Sequence, residues 1–182
     1  MAIMQWASVV AILLSTAPAP QGIDKIVPYQ DLFQQVAGAR WIDRAAQIQA
    51  ESNFNRFAKS PVGAKGLGQA MDSTWAWYQG LGWVQKGSSP FDPLPAIQGQ
   101  SRYMRWIEPM VSGNWHAALG GYNAGPGTID KAIYLAKTLG LPGADSWLIV
   151  LPKVSGPANA KQTSDYIVHN DANKAAINRR IK

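Results

Sequence analysis

The sequence predicts a mainly α-helical protein with one globular domain. From Ile23 onward, apolar residues recur at spacings of three and four, which is the pattern of one helix face, and alternating runs are almost absent. A chain of 182 residues with 47% hydrophobic content is long enough to bury a sizeable core. We therefore expect helices packed around a single core, with at most one strand.

Two stripes of residues at helical spacing occupy the first half of the chain. The first predicts a helix that ends near Asn53, and its members are Trp41, Ala45, Ile48 and Ser52. The second follows Asp92 and Pro93, which together are a typical helix start. Its members are Ile97, Ser101, Met104, Trp106 and Ile107.

The second half contains further start and stop signals. Asn114 before Trp115 predicts a helix start, and Gly125 with the following proline predicts that this helix ends at Asn123 or Ala124. Thr128 is then expected to cap the next helix. Residues 141–160 are rich in proline and glycine, and residues 147–151 are the only plausible strand.

Charge and cysteine content narrow the possible functions. The formal net charge is +6 and the pI is about 9.7, which favours anionic partners such as cell-wall polymer, acidic lipid or nucleic acid. The chain has no cysteine, which excludes disulfides, thiolate nucleophiles and cysteine-ligated zinc. Its two histidines, His116 and His169, lie far apart without metal-ligand spacing, so we expect no metal site.

Residues 1–22 form a hydrophobic N-terminal segment. The apolar stretch of residues 4–17 is shorter than the roughly 20 residues that a spanning helix needs, and small residues follow it. No lysine or arginine precedes it, unlike the basic start of a typical export signal. Three interpretations stay open: a cleaved signal, a retained anchor, and an arm packed in a larger assembly.

Glu51 is the first candidate for chemistry. It follows Ile48 by three residues, so on a helix it lies at the margin of the apolar face and close to the predicted helix end. Partial burial and the negative end of the helix dipole both favour the protonated carboxyl group, which a general acid requires. An isolated glutamate at a helix end is more often only solvated, so the neighbouring motifs decide the interpretation.

A glycine-rich stretch follows at residues 60–69. Its three glycines predict tight turns, and Gln69 offers a donor and an acceptor for sugar hydroxyls or amides. It is not a phosphate-binding loop, because such a loop needs lysine followed by serine or threonine after its last glycine, and Gln69 stands directly after Gly68 instead.

Two later clusters complete the set. Residues 121–127 present Tyr122 and Asn123 at a helix end before a forced turn. Gln162, Thr163 and Tyr166 lie on the predicted last helix.

In their order along the chain, these four stretches resemble the catalytic domain of the soluble lytic transglycosylase family, which includes conjugation-system and phage virion enzymes. The resemblance covers roughly residues 31–173. It rests on four segments, which are Glu51-Ser52, Gly66-Leu67-Gly68-Gln69, Gly121-Tyr122-Asn123-Ala124-Gly125 and Thr163-Ser164-Asp165-Tyr166.

The resemblance implies a lysozyme-like (goose-type) fold with a cleft for the glycan, and residues 23–173 as the catalytic domain. It implies Glu51 as the only acid and base, Tyr166 hydrogen-bonded to Glu51, and no cofactor or metal. The implied sugar-site residues are Ser52, Gly68, Gln69, Tyr122 and Asn123. The implied reaction cleaves the β-1,4 bond between N-acetylmuramic acid and N-acetylglucosamine and leaves a 1,6-anhydro end.

The implied partner is the peptidoglycan glycan strand, and the implied place of action is the periplasm or cell envelope. The protein would open the wall for a secretion or conjugation channel or for phage entry. It would be delivered to the wall either by secretion or as a virion component. The N-terminal segment would hold it in such a channel or tail, and no specific nucleic acid is expected.

The chain departs from the family pattern at two positions. Gly68 replaces a methionine, so one apolar wall of the sugar groove is missing or comes from another residue such as Trp75. Asp72 stands where proline is common. Most of the eight tryptophans are expected in the core, with one or two available to stack on sugars. The tryptophans expected in the core are Trp75, Trp77, Trp83, Trp106 and Trp115.

Two other functions remain open. A hydrolase of the same fold would use Asp72 or Asp92 to position water opposite Glu51. A non-catalytic glycan-binding component would keep the fold without the reaction. The basic residues of the segment 174–182 are interpreted as a solvated C-terminal tail.

Overall fold

A computed structural model describes residues 22–181, and most of that stretch is helical. Two short 3-10 helices, Ile23–Tyr29 and Gly38–Arg40, flank the first α-helix. The α-helices are α1 (Gln30–Ala37), α2 (Trp41–Ser52), α3 (Asp72–Gly80), α4 (Pro93–Met110), α5 (Trp115–Ala124), α6 (Pro126–Thr138), α7 (Trp147–Ser155) and α8 (Pro157–Arg180). Extended pairing within residues 22–181 is limited to isolated bridges in the loop between α2 and α3. The predicted mainly α fold is confirmed.

The described chain forms two compact units. The first contains residues 22–102 and 168–181, and the second is Tyr103–Ile167. Helices α4 and α8 contribute residues to both units.

Helix α2 is the central element of the first unit. Every residue from Asp43 to Gln49 is buried, and the apolar ones pack with Phe33 of α1 and Ile97 of α4. Burial of these seven consecutive residues explains why a 12-residue helix with a modest apolar stripe is stable here. Because α2 is held on all sides, its C-terminal end has a fixed position.

The C-terminal segment belongs to this core. Asn173 donates from Nδ2 to the backbone oxygen of Ala46 at 3.1 Å, and Ile177 is fully buried. Lys174 Nζ lies 2.6 Å from Asp43 Oδ1, and Arg180 forms an ion pair with Asp24. The interpretation of residues 174–182 as a solvated tail is therefore wrong for residues 174–180, which continue α8.

Close packing around α5 defines the second unit. Ala117, Ala118 and Leu119 are fully buried. A Cβ on Gly120 would lie 2.9 Å from the Trp147 ring, and one on Gly121 would lie 2.9 Å from Ile107 Cγ2. These two glycines therefore let α5 approach its neighbours, and they place the following Tyr122 and Asn123 at the end of a tightly held helix.

Most predicted boundaries are confirmed. Helix α2 ends at Ser52, α4 begins directly after Asp92, and α5 ends at Ala124. The Asn114 cap is also confirmed, because its Oδ1 accepts from the backbone nitrogen of Ala117 at 3.0 Å.

Two boundary predictions are wrong. Residues 147–151 belong to helix α7, not to a strand, and their buried members are Trp147, Val150 and Leu151 at helical spacing. Helix α6 begins at Pro126, so Thr128 lies inside it and does not cap it. Proline at the first position needs no hydrogen bond from its nitrogen, which allows the earlier start.

The N-terminal segment falls almost entirely on residues 1–21, which lie outside the described residues. Among residues 22–181, no helix combines the length and hydropathy needed to cross a membrane.

Candidate active site

Glu51 lies in the last turn of α2 and is half-buried. The seven buried residues that precede it fix the helix, so the carboxyl group has a rigid base. Ser52 Oγ, one residue later, donates to the backbone oxygen of Ile48 at 3.2 Å. Ser52 therefore stabilises the end of α2, and Glu51 is held half-buried on a fixed backbone.

The chain turns sharply directly after Glu51 and Ser52. Asn53 has φ 49° and ψ 42°, and its backbone N–H closes the helix on Gln49 O at 2.9 Å. Phe54 also has a positive φ of 59°, and its ring is buried against Phe33 at a centroid distance of 6.3 Å. This buried phenylalanine holds the strained turn in place and fixes where α2 ends.

The glycine-rich loop is a compact, self-bonded structure. Gly66 N donates to Ala58 O at 2.9 Å, and Lys65 and Ala70 exchange backbone hydrogen bonds of 3.0 Å. A Cβ on Gly66 would stand 1.8 Å from Pro90 O, and the φ of Gly66 is +75°. Backbone therefore packs on backbone here, and only glycine fits at position 66.

Gln69 has a structural role that the sequence did not predict. Its Nε2 donates to Gly66 O at 2.9 Å and lies 3.4 Å from Ala58 O, and its φ is 48°. The amide nitrogen therefore stabilises the loop, and only the carbonyl oxygen of Gln69 is left as an acceptor for a sugar. Gly68, next to it, is buried.

Trp75 does not replace the missing apolar wall. Its side chain is only 7% exposed, and its Nε1 donates to Ser88 O at 2.9 Å. The ring packs in the core near Tyr78, with a centroid distance of 6.1 Å. The expectation that Trp75 lies in the core is therefore confirmed, and the alternative that it supplies the missing wall of the sugar groove is wrong.

Both aspartates considered as water-activating bases have other partners. Lys65 Nζ contacts both oxygens of Asp72, at 2.7 and 2.8 Å, where α3 begins. Asp92 precedes α4, and its Oδ2 accepts from Ser89 N at 3.0 Å. Its other oxygen, Oδ1, lies 3.8 Å from Arg56 Nη2. These carboxylates stabilise helix starts and the loops that lead into them.

In the second unit, Tyr122 belongs to an aromatic cluster. Its ring lies 5.4 Å from that of Tyr103, which stacks on Trp106 at 5.7 Å with an interplanar angle of 17°. Burial raises the pKa of the Tyr103 hydroxyl. Trp106 was expected in the core, but 38% of it is exposed.

Asn123 and Thr163 connect two of the predicted motifs. Thr163 Oγ1 donates to Asn123 Oδ1 at 3.0 Å, which joins the end of α5 to α8. Tyr166 lies three residues further along α8 and is 8% exposed. The tyrosine thus has the buried position that a positioning residue needs.

His116 also has a structural partner. Its Nδ1 lies 2.7 Å from Asp145 Oδ2, and Asn114 Nδ2 lies 3.0 Å from the other oxygen of that carboxylate. The hydrogen bond from His116 is the main reason why the pKa of Asp145 is below its ordinary value. Within residues 22–181, no group of three or more metal-ligating side chains comes together.

Each unit therefore contains part of the predicted set. Glu51 and Ser52 at the end of α2, and Gly68 and Gln69 in the loop, lie in the first unit. Tyr122, Asn123 and Tyr166 lie in the second. Sequence reasoning did not single out Ser155 at the end of α7 or Asn159 at the start of α8, which line a pocket together with Asn123 and Thr163.

The chain is similar to known cell-wall enzymes. The family model of the transglycosylase SLT domain matches residues 44–140. Membrane-bound lytic murein transglycosylase F of Shewanella halifaxensis is 32% identical over 125 residues, covering 65% of this chain and 25% of that protein. Soluble lytic murein transglycosylase of Escherichia coli is 32% identical over 107 residues, covering 56% of this chain and 17% of that protein.

A solved structure extends the similarity. The crystal structure of the 70 kDa soluble lytic transglycosylase from Escherichia coli superposes with a TM-score of 0.69 at 26% identity. The match covers 84% of this chain and 24% of that one. The chain thus spans about a quarter or less of the length of these proteins, and the similarity concerns one part of each.

Proposed function

Because the chain belongs to the transglycosylase SLT domain family, we propose that it cleaves peptidoglycan glycan strands as a lytic transglycosylase. One observation carries the proposal. The family match of residues 44–140 includes Glu51, the glycine-rich loop and the Tyr122–Asn123 pair, and Glu51 is half-buried at the fixed end of α2. We further propose that residues 23–173 form the catalytic domain.

In the proposed reaction, Glu51 acts twice. As an acid it gives its proton to the glycosidic oxygen, while the C1–O bond of N-acetylmuramic acid breaks and the 2-acetamido oxygen bonds to C1. The resulting carboxylate then takes the proton of the 6-hydroxyl group, and that oxygen displaces the acetamido oxygen from C1. The product is a 1,6-anhydro ring, water is not consumed, and Glu51 regains its proton.

The other predicted residues support this chemistry in the proposal. Tyr166 orients Glu51 through its hydroxyl group, and Ser52 stabilises the end of α2. The acceptor oxygen of Gln69, together with Tyr122 and Asn123, contacts the sugars, and the backbone at Gly68 lies beside them. A single carboxylate is enough, so the engagement of Asp72 and Asp92 elsewhere favours this reaction over water-activated hydrolysis.

The substrate sets the place of action. Peptidoglycan lies in the periplasm or cell envelope, and we propose that the enzyme opens the wall there for a secretion or conjugation channel or for phage entry. The mass of the mature N-terminus distinguishes a cleaved signal from a retained segment.

Replacing the proposed acid tests the proposal. Glu51→Gln keeps shape and hydrogen bonding but removes the transferable proton, so wall cleavage in a peptidoglycan gel assay should fall by about 100-fold to 10,000-fold. The matched control is Glu108→Gln, which changes the only other glutamate of the chain and should retain near-parental activity. Circular dichroism checks that both variants fold. Glu51→Gln activity above about a tenth of the parent would refute the role of Glu51.

A further inference from the structure

Two buried glutamine side chains join α2 to α4 within the first unit. Gln47 is fully buried, and Gln100 is only 1% exposed. Gln100 donates from Nε2 to Gln47 Oε1, and Ser101 Oγ lies 3.4 Å from Gln100 Oε1. Burial of an amide costs free energy unless its polar groups are hydrogen-bonded, so this pair is a specific contact inside an otherwise apolar core.

Gln47 precedes Glu51 by one helical turn on the same face of α2. Residues four positions apart on a helix are neighbours, and helical side chains lean toward the N-terminus. The side chain of Glu51 therefore extends back over the turn that contains Gln47. Because Gln47 is shielded from water, its amide dipole acts on the half-buried carboxyl group of Glu51 with little screening.

The hydrogen bond from Gln100 determines what the amide of Gln47 offers to its surroundings. Its acceptor, Oε1, is engaged by α4, and the other polar group of the amide is Nε2, which can only donate. A donor close to a carboxyl group stabilises the ionised form more than the protonated form.

Charged groups also lie along this part of α2. Arg44 is buried one turn further from Glu51, and the carboxylate of Asp43 lies 2.6 Å from Lys174 Nζ of α8. The partner that α4 contributes to Gln47 is neutral. Replacing a glutamine by leucine preserves all of these charges, so it removes the amide dipole alone.

We propose that the Gln47–Gln100 pair positions the carboxyl group of Glu51, and this inference rests on the proposed function. Gln100 holds the amide of Gln47, and the Nε2 group of Gln47 stabilises the Glu51 carboxylate that forms when the proton moves to the glycosidic oxygen. The same interaction keeps the carboxylate oriented for the base step. Both glutamines are positioning residues, because both are buried and act through Glu51.

The titration of Glu51 provides the test. The chain has only two glutamates, Glu51 and Glu108, so ¹³C NMR of the full chain labelled at the glutamate carboxyl carbons should show two titrating signals. Gln47→Leu should move the midpoint of the Glu51 titration upward by about one pH unit, because a hydrogen bond to the ionised form is lost. The Glu108 signal should titrate identically in parent and variant. With soluble peptidoglycan fragments, kcat should fall about fivefold or more while KM stays unchanged.

Gln49→Leu is the matched control. Gln49 is a buried glutamine of the same helix, but it lies two positions from Glu51 and therefore on another face. Its replacement should leave the Glu51 titration and kcat unchanged, whatever its effect on stability.

The double variant Gln47→Leu, Gln100→Leu keeps the test informative if Gln47→Leu fails to fold. Replacing both partners by apolar side chains leaves neither amide of the pair buried without the other. The double variant should shift the Glu51 titration as far as Gln47→Leu alone, because Gln100 acts through Gln47.

Two results would overturn the proposal: a parental Glu51 titration in both variants that lack the Gln47 amide, or an equal shift in Gln49→Leu. The carboxyl titration needs no substrate, so it is measurable even if the protein does not cleave peptidoglycan. Failure of the proposed function and failure of this inference therefore give different results.

Discussion

The conformation of the glycine-rich loop depends on the absence of a side chain at Gly66. Its positive φ disfavours any other residue, and a Cβ would collide with the backbone oxygen of Pro90. Gly63, three residues earlier, has a φ of +93° but open space around its Cβ position. Comparing substitutions at the two glycines therefore distinguishes the cost of backbone strain, which both share, from the cost of steric collision, which only Gly66 has.

Gly66→Ala should lower the free energy of unfolding by about 2–5 kcal/mol, because left-handed strain and overpacking add. Gly63→Ala should cost only about 1–2 kcal/mol, the strain alone. Urea denaturation followed by circular dichroism measures both. Equal losses in the two variants would contradict the close packing of Gly66 on Pro90.

At the scale of single residues, the sequence predicted where a residue lies on a helix better than which residues it contacts. Glu51 at a half-buried helix end followed from spacing alone, because helix position depends on local periodicity. The bond from Gln69 to Gly66 depends on how the loop closes, and the hydrogen bond from Trp75 Nε1 to Ser88 O depends on the path of the chain after α3. Neither contact leaves a signal in the local pattern.

At the scale of the elements, capping signals predicted the ends of α2 and α5 and the start of α4, because caps are local hydrogen-bonding devices. Helix α7 was missed because its short apolar run lacks polar residues that would reveal a helical period. Burial of Trp147, Val150 and Leu151 at spacings of three and four explains why it is a helix.

The end of α8 permits a matched comparison of two isoleucines. Ile177 is completely buried in the core of the first unit, whereas Ile181 is 41% exposed. Ile177→Ala should therefore destabilise the protein by about 2–5 kcal/mol. Ile181→Ala should change stability by no more than about 0.5 kcal/mol. Thermal and urea unfolding measure both, and a neutral Ile177→Ala would restore the solvated-tail interpretation.

The start of α5 should be sensitive to acid. The pKa of Asp145 is lowered, chiefly by the hydrogen bond with His116, so its ionised form is preferred in the folded state. Its stabilising contribution is complete above the ordinary pKa of an aspartate and is lost as the pH falls through the lower pKa of the folded state. The free energy of unfolding should therefore decrease between about pH 5 and pH 2.

Asp145→Asn should flatten this decrease, because the substituted amide does not titrate. Asp130→Asn, which changes an exposed aspartate of α6, serves as the control and should keep the parental slope. Urea unfolding at a series of pH values gives the slopes. An unchanged slope in Asp145→Asn would mean that the contact with His116 does not stabilise the fold.

At the scale of the whole molecule, the order of four short motifs predicted the family and the helical fold, and the comparisons confirmed both. The division of the described chain into two units was not predicted. Helices α4 and α8 contribute to both units without a break, so no linker composition marks the boundary.

The product of digestion tests the central proposal most directly. Purified peptidoglycan incubated with the parent protein should yield muropeptides that end in 1,6-anhydro-N-acetylmuramic acid, lighter by one water than hydrolysis products. Asp72→Asn and Asp92→Asn should give the same products at rates within a few fold of the parent, because neither residue activates water in the proposed reaction. Mass spectrometry showing mainly hydrated reducing ends, with an inactive variant at either aspartate, would contradict the proposal and establish a hydrolase instead.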